Sequence, residues 1–377
     1  MQNSDALIIG GGIIGLAIAR ELRKRDGGRI TVIERGLLGK EASWAAAGIL
    51  APQAEADAED EFFQLCSESN ELYPQFAAEL LDESGVDVEL DRTGTIYLAF
   101  SDEDLEELDR RYEWQARAGL AVERLSQGEI KRHERLISPA AAGGLLFPND
   151  GQVENRRLVE ALAAYCRKND IGIFENAEAR RITPENQNVV HVETTAGRFS
   201  AAHVVVAAGA WTPMLEIGAD RKLRIPVKPI RGQMISYSGR QKDFRHVIYS
   251  HRGYLVPRSD GRLLVGATVE DAGFNKGLTE DGVASLESAA AEIAPNLRVL
   301  RPSEKWAGLR PFATDELPVI GSWPEISNLT IATGHYRNGI LLAPLTARII
   351  ADKLIDGVGS DYFDAFGPAR FLTASAR

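Results

Sequence analysis

Near its amino end the chain reads Ala6-Leu-Ile-Ile-Gly-Gly-Gly-Ile-Ile-Gly-Leu-Ala-Ile-Ala-Arg20, and soon after Arg29-Ile-Thr-Val-Ile-Glu34. Ala6 to Ile9 is an aliphatic run that suits a buried strand, and Leu16 to Arg25 carries apolar residues at helical spacing. Between them Gly10-Gly-Gly12-Ile-Ile-Gly15 predicts a tight turn. In that setting Gly10 permits the turn, Gly12 lets the backbone approach a phosphate, and Gly15 lets helix and strand pack. The helix N-terminus supplies N–H donors and partial positive charge. A second strand, Arg29 to Ile33, ends at Glu34, nineteen residues past Gly15, where a carboxylate accepts hydrogen bonds from ribose hydroxyls and repels a 2′-phosphate. The pattern predicts a dinucleotide cradle on an α/β fold. The bland alternative is a tightened loop with a solvated Glu34. The cradle serves NAD and FAD alike, so the motif alone does not choose between them.

The rest of the chain departs from a continuous βαβαβ repeat. After Glu34 comes Ser43-Trp-Ala-Ala-Ala-Gly48-Ile-Leu, small residues that suit a backbone lying against a flat ligand, or close helix packing. Asp57 to Ser84 has helical spacing, and Val86 to Phe100 alternates like strands around Thr93-Gly94. Asp102 to Ala118 and Ser126 to His133 read as charged, exposed helices. A second α/β stretch starts with a helix from Glu154 to Lys168, and continues through Ile171 to Phe174 and a ribbon across Asn186 to Asn188. It closes with a buried parallel strand from Ala202 to Ala208, turning at Gly209. From Ile225 to Thr268 the period is two, with a hairpin turning at Asp260-Gly261 as a two-residue loop, which pairs Tyr254 with Ala267 and points Val269 to the same face. Leu329 to Thr333 is a strand, Gly334 to Gly339 a turn, and Ile340 to Ile355 a helix stopped by Gly357, with Pro344 in its first turns. The expected layout is a discontinuous Rossmann-like nucleotide domain (1–83, 143–224 and 301–377) interleaved with an antiparallel sheet domain (84–142 and 225–300), the ligand lying between them.

Composition narrows the partners. The 377 residues are 44% apolar and 26% charged, enough for two to three domains with a substantial core. With 43 Lys+Arg against 54 Asp+Glu the formal charge is −11, which disfavours nucleic acid and anionic membranes. Cys66 and Cys166 fall in no metal or CxxC spacing and read as free cytosolic thiols. The run Ala6 to Ala19 follows an acidic start, unlike a signal peptide, and no uncharged apolar stretch reaches the ~18 residues of a membrane span. A soluble, cytoplasmic protein is expected.

Six segments carry a resemblance: Ile8 to Gly15, Ala45-Ala-Ala-Gly48-Ile-Leu, Val204-Val-Val-Ala-Ala-Gly-Ala-Trp211, Tyr254-Leu-Val-Pro-Arg258, Trp306-Ala-Gly-Leu-Arg-Pro311 and Gly334-His-Tyr-Arg-Asn-Gly-Ile-Leu-Leu-Ala-Pro344. Nearly end to end, the chain resembles FAD-dependent amine oxidases of the D-amino-acid oxidase superfamily, the glycine oxidase branch of the thiamine pathway in particular. The resemblance implies a glutathione-reductase-like FAD domain and oxidation of glycine or another small amino acid by hydride transfer from Cα to flavin N5. The products would be an imine and, with dioxygen, hydrogen peroxide. It places the substrate carboxylate on Arg310 and Tyr254, with Arg337 beside substrate and flavin, and the hairpin register adds Val269 to the wall that Tyr254 lines. Flavin contacts fall on Ile13, Ile14, Glu34, Arg35, Ala42, Ser43, Ala47, Gly48, Ile49, Ala179, Gly209, His335, Tyr336, Arg337, Asn338, Gly339, Ile340 and Leu341, in addition to Gly10, Gly12 and Gly15.

With no cysteine after Cys166, FAD is expected to be non-covalent. The flavin does the chemistry, so no catalytic side chain and no metal is expected; His335 reads as a flavin contact or as a structural residue. Taken singly, Tyr254 also reads as sheet filler and Arg310 and Arg337 as surface ion pairs. A homo-oligomer and hand-off of product to a thiazole synthase are expected partners. The alternatives are a D-amino-acid dehydrogenase or sarcosine oxidase and, in another class, a flavoprotein module acting on tRNA.

Overall fold

The computed structural model describes residues 2–218, 221–240 and 243–372; other positions in the expected domain boundaries lie outside the described residues. Five strands form a parallel core: Gln2–Ile9, Ile30–Ile33, Gly172–Phe174, Gly197–Val206 and Leu329–Thr333. Numbered along the chain, they lie side by side in the order 3-2-1-4-5, the doubly wound arrangement whose switch point falls between the first and fourth strands. At that point Gln2–Ile9 runs beside Gly197–Val206, and the chain leaves both strands through small residues, Gly10-Gly11-Gly12 and Ala207-Ala208-Gly209. A ligand cleft at this edge follows from the topology.

The strands are aliphatic throughout because both faces are covered. Ala6 and Ile8 join one core with the helices Ile13–Lys24, Glu61–Ser84, Asn155–Lys168 and Gly339–Ala351, while Leu7 and Ile9 join another beneath the hairpin Ala179–Glu185/Asn188–Thr194. Pro344 sits in the second turn of its helix, within the first turns the sequence suggested but past the turn whose N–H groups have no partner. The ring has no N–H to offer the Ile340 carbonyl, and that oxygen takes the Tyr73 hydroxyl instead, while Ser69 Oγ donates to the Leu341 carbonyl at 2.6 Å. The helix ends at Ala351 and widens into a π turn, Asp352–Asp356, before left-handed Gly357.

The second sheet has eight strands, ordered Glu304–Ala313, Val227–Tyr237, Leu263–Gly266, Gly253–Pro257, Val247–Ser250, Thr95–Ala99, Gly143–Phe147 and Glu123–Ser126. Its pairs are antiparallel except Val247–Ser250 beside Thr95–Ala99, which is parallel. Leu255, Val265 and Ile235 face the helix Glu280–Ile293, while Val256, Leu264 and Met234 face the nucleotide unit.

Three sequence expectations differ here. Gly143–Phe147 and Glu304–Ala313 join this sheet, so sheet membership changes after Phe147 and Ala313 rather than at 142 and 300; neither strand carries a local sign of which sheet will pair with it. Val86 to Leu90 is not a strand, and only Thr95–Ala99 forms one. The hairpin register is also one residue off, with Tyr254 opposite Gly266. Asp260 Oδ1 accepts from the Arg262 amide at 3.0 Å, and Gly261 takes φ +88°. These close a three-residue turn, Ser259-Asp260-Gly261, over the Arg258 N–H to Arg262 carbonyl bond of 2.8 Å.

Among the described residues no helix is long and apolar enough to cross a membrane, and no group of His, Cys, Asp or Glu is arranged to hold a metal. Cys66 and Cys166 are free, as expected, and both are buried.

Candidate functional site

A cavity of about 500 Å³ opens at the switch point and runs between the two sheets. At one end the glycine turn forms a floor without side chains. A Cβ on Gly10 would stand 2.3 Å from the Ala207 oxygen and one on Gly15 1.9 Å from the Gly10 oxygen, so neither position admits a larger residue. Gly10 has φ +116°. The helix Ile13–Lys24 points its N-terminus into this space, with the Ile13 N–H held by Ser43 Oγ at 2.9 Å. Glu34 is buried; its carboxylate accepts from the Gly11 and Gly36 amides at 2.8 and 2.9 Å. Burial pushes its pKa up while the two amides pull it back. Facing it, the Arg35 guanidinium stacks 4.5 Å from the Trp211 ring centroid.

The middle of the cavity is walled by Ala42 to Ile49, and its shape is set by side chains reaching in from elsewhere. Asn155 Nδ2 donates to the Ser43 and Trp44 carbonyls at 2.9 and 3.0 Å, and Trp306 Nε1 donates to the Ala45 carbonyl at 3.0 Å. Arg258, 4% exposed, donates to the carbonyls of Ala47 at 2.6 Å and Val153 at 2.7 Å, and to the side-chain oxygens of Gln152 and Asn155 at 2.8 and 3.1 Å. Burial pulls its pKa down to about 10, the direction expected of a cation surrounded by neutral acceptors, and its Nε has no hydrogen-bond partner among the described residues. Gly48, at φ +68°, passes so close to Val153 that a Cβ would stand 2.1 Å from its carbonyl oxygen.

At the far end Arg310 and Tyr254 line the same space, and each lies across a glycine. A Cβ on Gly232 would stand 2.2 Å from Arg310 Nη1, and one on Gly266 2.4 Å from the Tyr254 hydroxyl. Arg310 Nη1 donates to the Thr268 carbonyl at 3.0 Å; among the described residues no carboxylate lies within ion-pair distance of it. The Tyr254 hydroxyl reaches Met234 Sδ at 3.7 Å, and its ring stacks 6.1 Å from that of Tyr249. Burial pushes both phenols up, away from ionisation. Arg337 joins this end from the turn before the helix Gly339–Ala351. His335 is buried with Nε2 3.1 Å from Thr346 Oγ1, and desolvation lowers its pKa to about 3. It is neutral, and this ring nitrogen is engaged.

The cavity gathers nearly every residue the sequence singled out. Gly10, Gly12, Ile13, Ile14, Glu34, Arg35, Ala42, Ser43, Ala47, Gly48, Ile49, Ala179, Gly209 and His335 to Ile340 line it, with Tyr254, Val269, Arg310 and Arg337. Two of the named residues do not. Gly15 packs beneath the turn against Gly10. Leu341 has already rotated into the helix core, with its carbonyl on Ser69. Ala267 also lines the wall, although the strand that carries it ends at Gly266.

Sequence reasoning gave no role to Arg258, Glu55, Tyr249, Trp211 or Gly232. Arg258 lies inside a quoted segment, but nothing local signals burial of an arginine. Gly232 is one glycine in an alternating strand, and its use depends on the strand beside it.

The residues present fit FAD. Gly10, Gly15 and Gly48 leave no room for a Cβ, a helix N-terminus opens on the cleft, and a buried carboxylate closes the second strand. A family model described as FAD dependent oxidoreductase matches residues 5–353. The chain is 37% identical over 350 residues to a glycine oxidase of Geobacillus kaustophilus (strain HTA426), covering 92% of each. It is 36% identical over 378 residues to the bifunctional protein ThiO/ThiG of Synechocystis sp. (strain ATCC 27184 / PCC 6803 / Kazusa), covering 99% of this chain and 55% of that protein. Among solved structures, glycine oxidase from Geobacillus kaustophilus superposes with a TM-score of 0.92 at 34% identity, over 98% of this chain and 99% of that one. The fold, the glycine-floored cleft and these similarities together place the chain in the FAD-dependent oxidoreductase family of D-amino-acid oxidase type, with FAD as its cofactor.

Proposed function

We propose that this protein oxidises glycine, or another small amino acid, at the end of the cavity where Arg310 and Tyr254 meet. The observation that carries the reading is the Arg310 guanidinium: half-buried, laid flat over Gly232 and without an ion-pair partner among the described residues. A planar fork in that state matches one carboxylate, which it holds through two charge-assisted hydrogen bonds. The Tyr254 hydroxyl, kept neutral by burial, gives a third. Held this way, the substrate presents Cα toward the wall formed by Ala47, Gly48 and Ile49, the segment that Arg258 and Trp306 keep in shape. Val269 and Ala267 close the side and favour a small substituent at Cα.

Bound FAD, non-covalently held, supplies a two-electron oxidation of the substrate C–N bond to an imine and passes the electrons to dioxygen as hydrogen peroxide. The first turn of Gly339–Ala351 points its positive end at the cavity, where it favours negative charge on the ligand. His335, neutral and bonded to Thr346, acts as a wall rather than a proton carrier. In this reading the parallel sheet and its helices form the FAD domain, and the eight-stranded sheet the substrate domain. Relatives named ThiO/ThiG, of which the chain spans about half, support delivery of the imine to thiazole synthesis for thiamine.

The test is anaerobic mixing of the yellow protein with glycine, sarcosine and D-alanine. Loss of the flavin absorbance with at least one of them is expected, and no loss with any of the three refutes the reading. Denaturation is expected to release all of the FAD.

A further inference from the structure

We propose that Glu55 sets the charge selectivity of this cavity, so that it accepts an amino acid with one carboxylate and turns away one with two; this rests on the reading of Arg310 as substrate anchor. Glu55 lines the cavity together with Arg310 and Arg337. The same cavity thus carries guanidinium groups that attract an α-carboxylate and an acidic side chain that does not. A second substrate carboxylate would meet Glu55 in a space that excludes much of the water, where like charges repel more strongly than in solution. Burial pushes the Glu55 carboxyl up, and Arg337, Asn338, Arg310 and Arg111 favour its ionised form.

The backbone on either side of Glu55 is held by a buried polar network. Asp150, fully buried, accepts from the Gln53 and Ala54 amides at 3.2 and 3.0 Å. Gln115, also fully buried, exchanges hydrogen bonds of 2.9 Å with the Gln53 side chain and its carbonyl. Arg111 donates to the carbonyls of Ala54, at 3.0 Å, and Ala56, and its other nitrogen pairs with Asp57 and Glu107. Of these groups Arg111 Nε alone is buried without a hydrogen-bond partner, so the network is nearly satisfied. Here they fix the two residues that flank Glu55.

The experiment titrates the FAD-loaded protein with acetate and with malonate, following the shift of the flavin absorbance, so that binding is read without turnover. Relative to acetate, malonate is expected to bind at least tenfold more tightly in Glu55→Gln than in the wild type, with Glu55→Asp staying near the wild-type ratio. A ratio unchanged within threefold in FAD-loaded Glu55→Gln overturns the proposal; Glu55→Ala provides the same comparison if the glutamine variant does not retain FAD. A turnover arm separates this from the functional reading. If the wild type oxidises glycine but Glu55→Gln gains nothing on D-aspartate relative to glycine, the charge role fails. If the malonate shift occurs in a protein that oxidises no small amino acid, the charge role stands and the functional reading fails.

Discussion

Replacing Gly232 by Ala changes an atom that touches no substrate, yet it is expected to lower activity through Arg310. The new Cβ would stand 2.2 Å from Nη1 and 2.4 Å from Cζ and Nη2, whereas ordinary contact begins near 3.4 Å. The guanidinium must therefore withdraw by roughly 1 Å, a misplacement that can cost about 10²-fold. That corresponds to about 2.7 kcal/mol of transition-state binding. The strand itself accommodates alanine, because the obstructed atoms are the far end of a flexible side chain, so FAD content and thermal stability should stay close to the wild type. Arg310→Ala removes the anchor outright and is expected to cost about 2–5 kcal/mol, as for loss of one partner of a buried charge pair.

The two effects act on one group and should not add: the double variant Gly232→Ala/Arg310→Ala should fall within threefold of Arg310→Ala alone. The assay is steady-state peroxide formation with glycine, reported as kcat/KM for the four proteins at matched FAD content. A Gly232→Ala enzyme within threefold of wild type, or a double variant that loses the product of the single losses, would refute the argument that this glycine exists to seat Arg310.

Two further outcomes follow from the buried polar groups. Arg258→Ala leaves the Ala47 and Val153 carbonyls without the donors that Arg258 gives them. At about 1–3 kcal/mol for each buried group left unsatisfied, it should lower the denaturant midpoint and raise the dissociation constant for FAD; retention of both would show that this arginine does not shape the wall.

His335 titrates in the opposite sense to a salt-bridged histidine. Its folded pKa is depressed to about 3 below an unfolded value of about 6.5, so the unfolded chain binds the proton first. Its contribution is complete above pH 6.5 and is lost at about 1.4 kcal/mol per pH unit as pH falls from there toward 3. Denaturant unfolding of wild type and His335→Asn between pH 7 and 4.5 should show the wild type losing stability more steeply; parallel curves would contradict it.

How much of this was legible in the chain differs from feature to feature. The nucleotide cradle was readable because its requirements are local: Gly10 must adopt a conformation closed to other residues, Gly15 must lack a Cβ because one would stand 1.9 Å from the Gly10 carbonyl oxygen, and Glu34 must end the next strand. The hairpin was half legible. Its turn was located correctly, but the hydrogen bond from the Arg262 amide to Asp260 lengthened the loop by one residue and moved Tyr254 opposite Gly266. A turn motif marks a place, while the register depends on how its side chains bond.

By itself the sequence determined an FAD cleft on a Rossmann-like fold and singled out Arg310, Tyr254 and Arg337 as candidate carboxylate-binding groups. Only the tertiary structure decided which sheet receives Gly143–Phe147 and Glu304–Ala313, that Arg310 and Tyr254 lie across Gly232 and Gly266, that Arg258 is buried behind Ala47, and that Glu55 lines the same cavity as Arg310 and Arg337. The reason is range. Backbone conformation and periodicity are written in neighbouring residues, whereas a side chain's charge environment is set by whatever the fold brings against it, and Glu55 and Arg310 are brought together from loops and strands far apart in the chain.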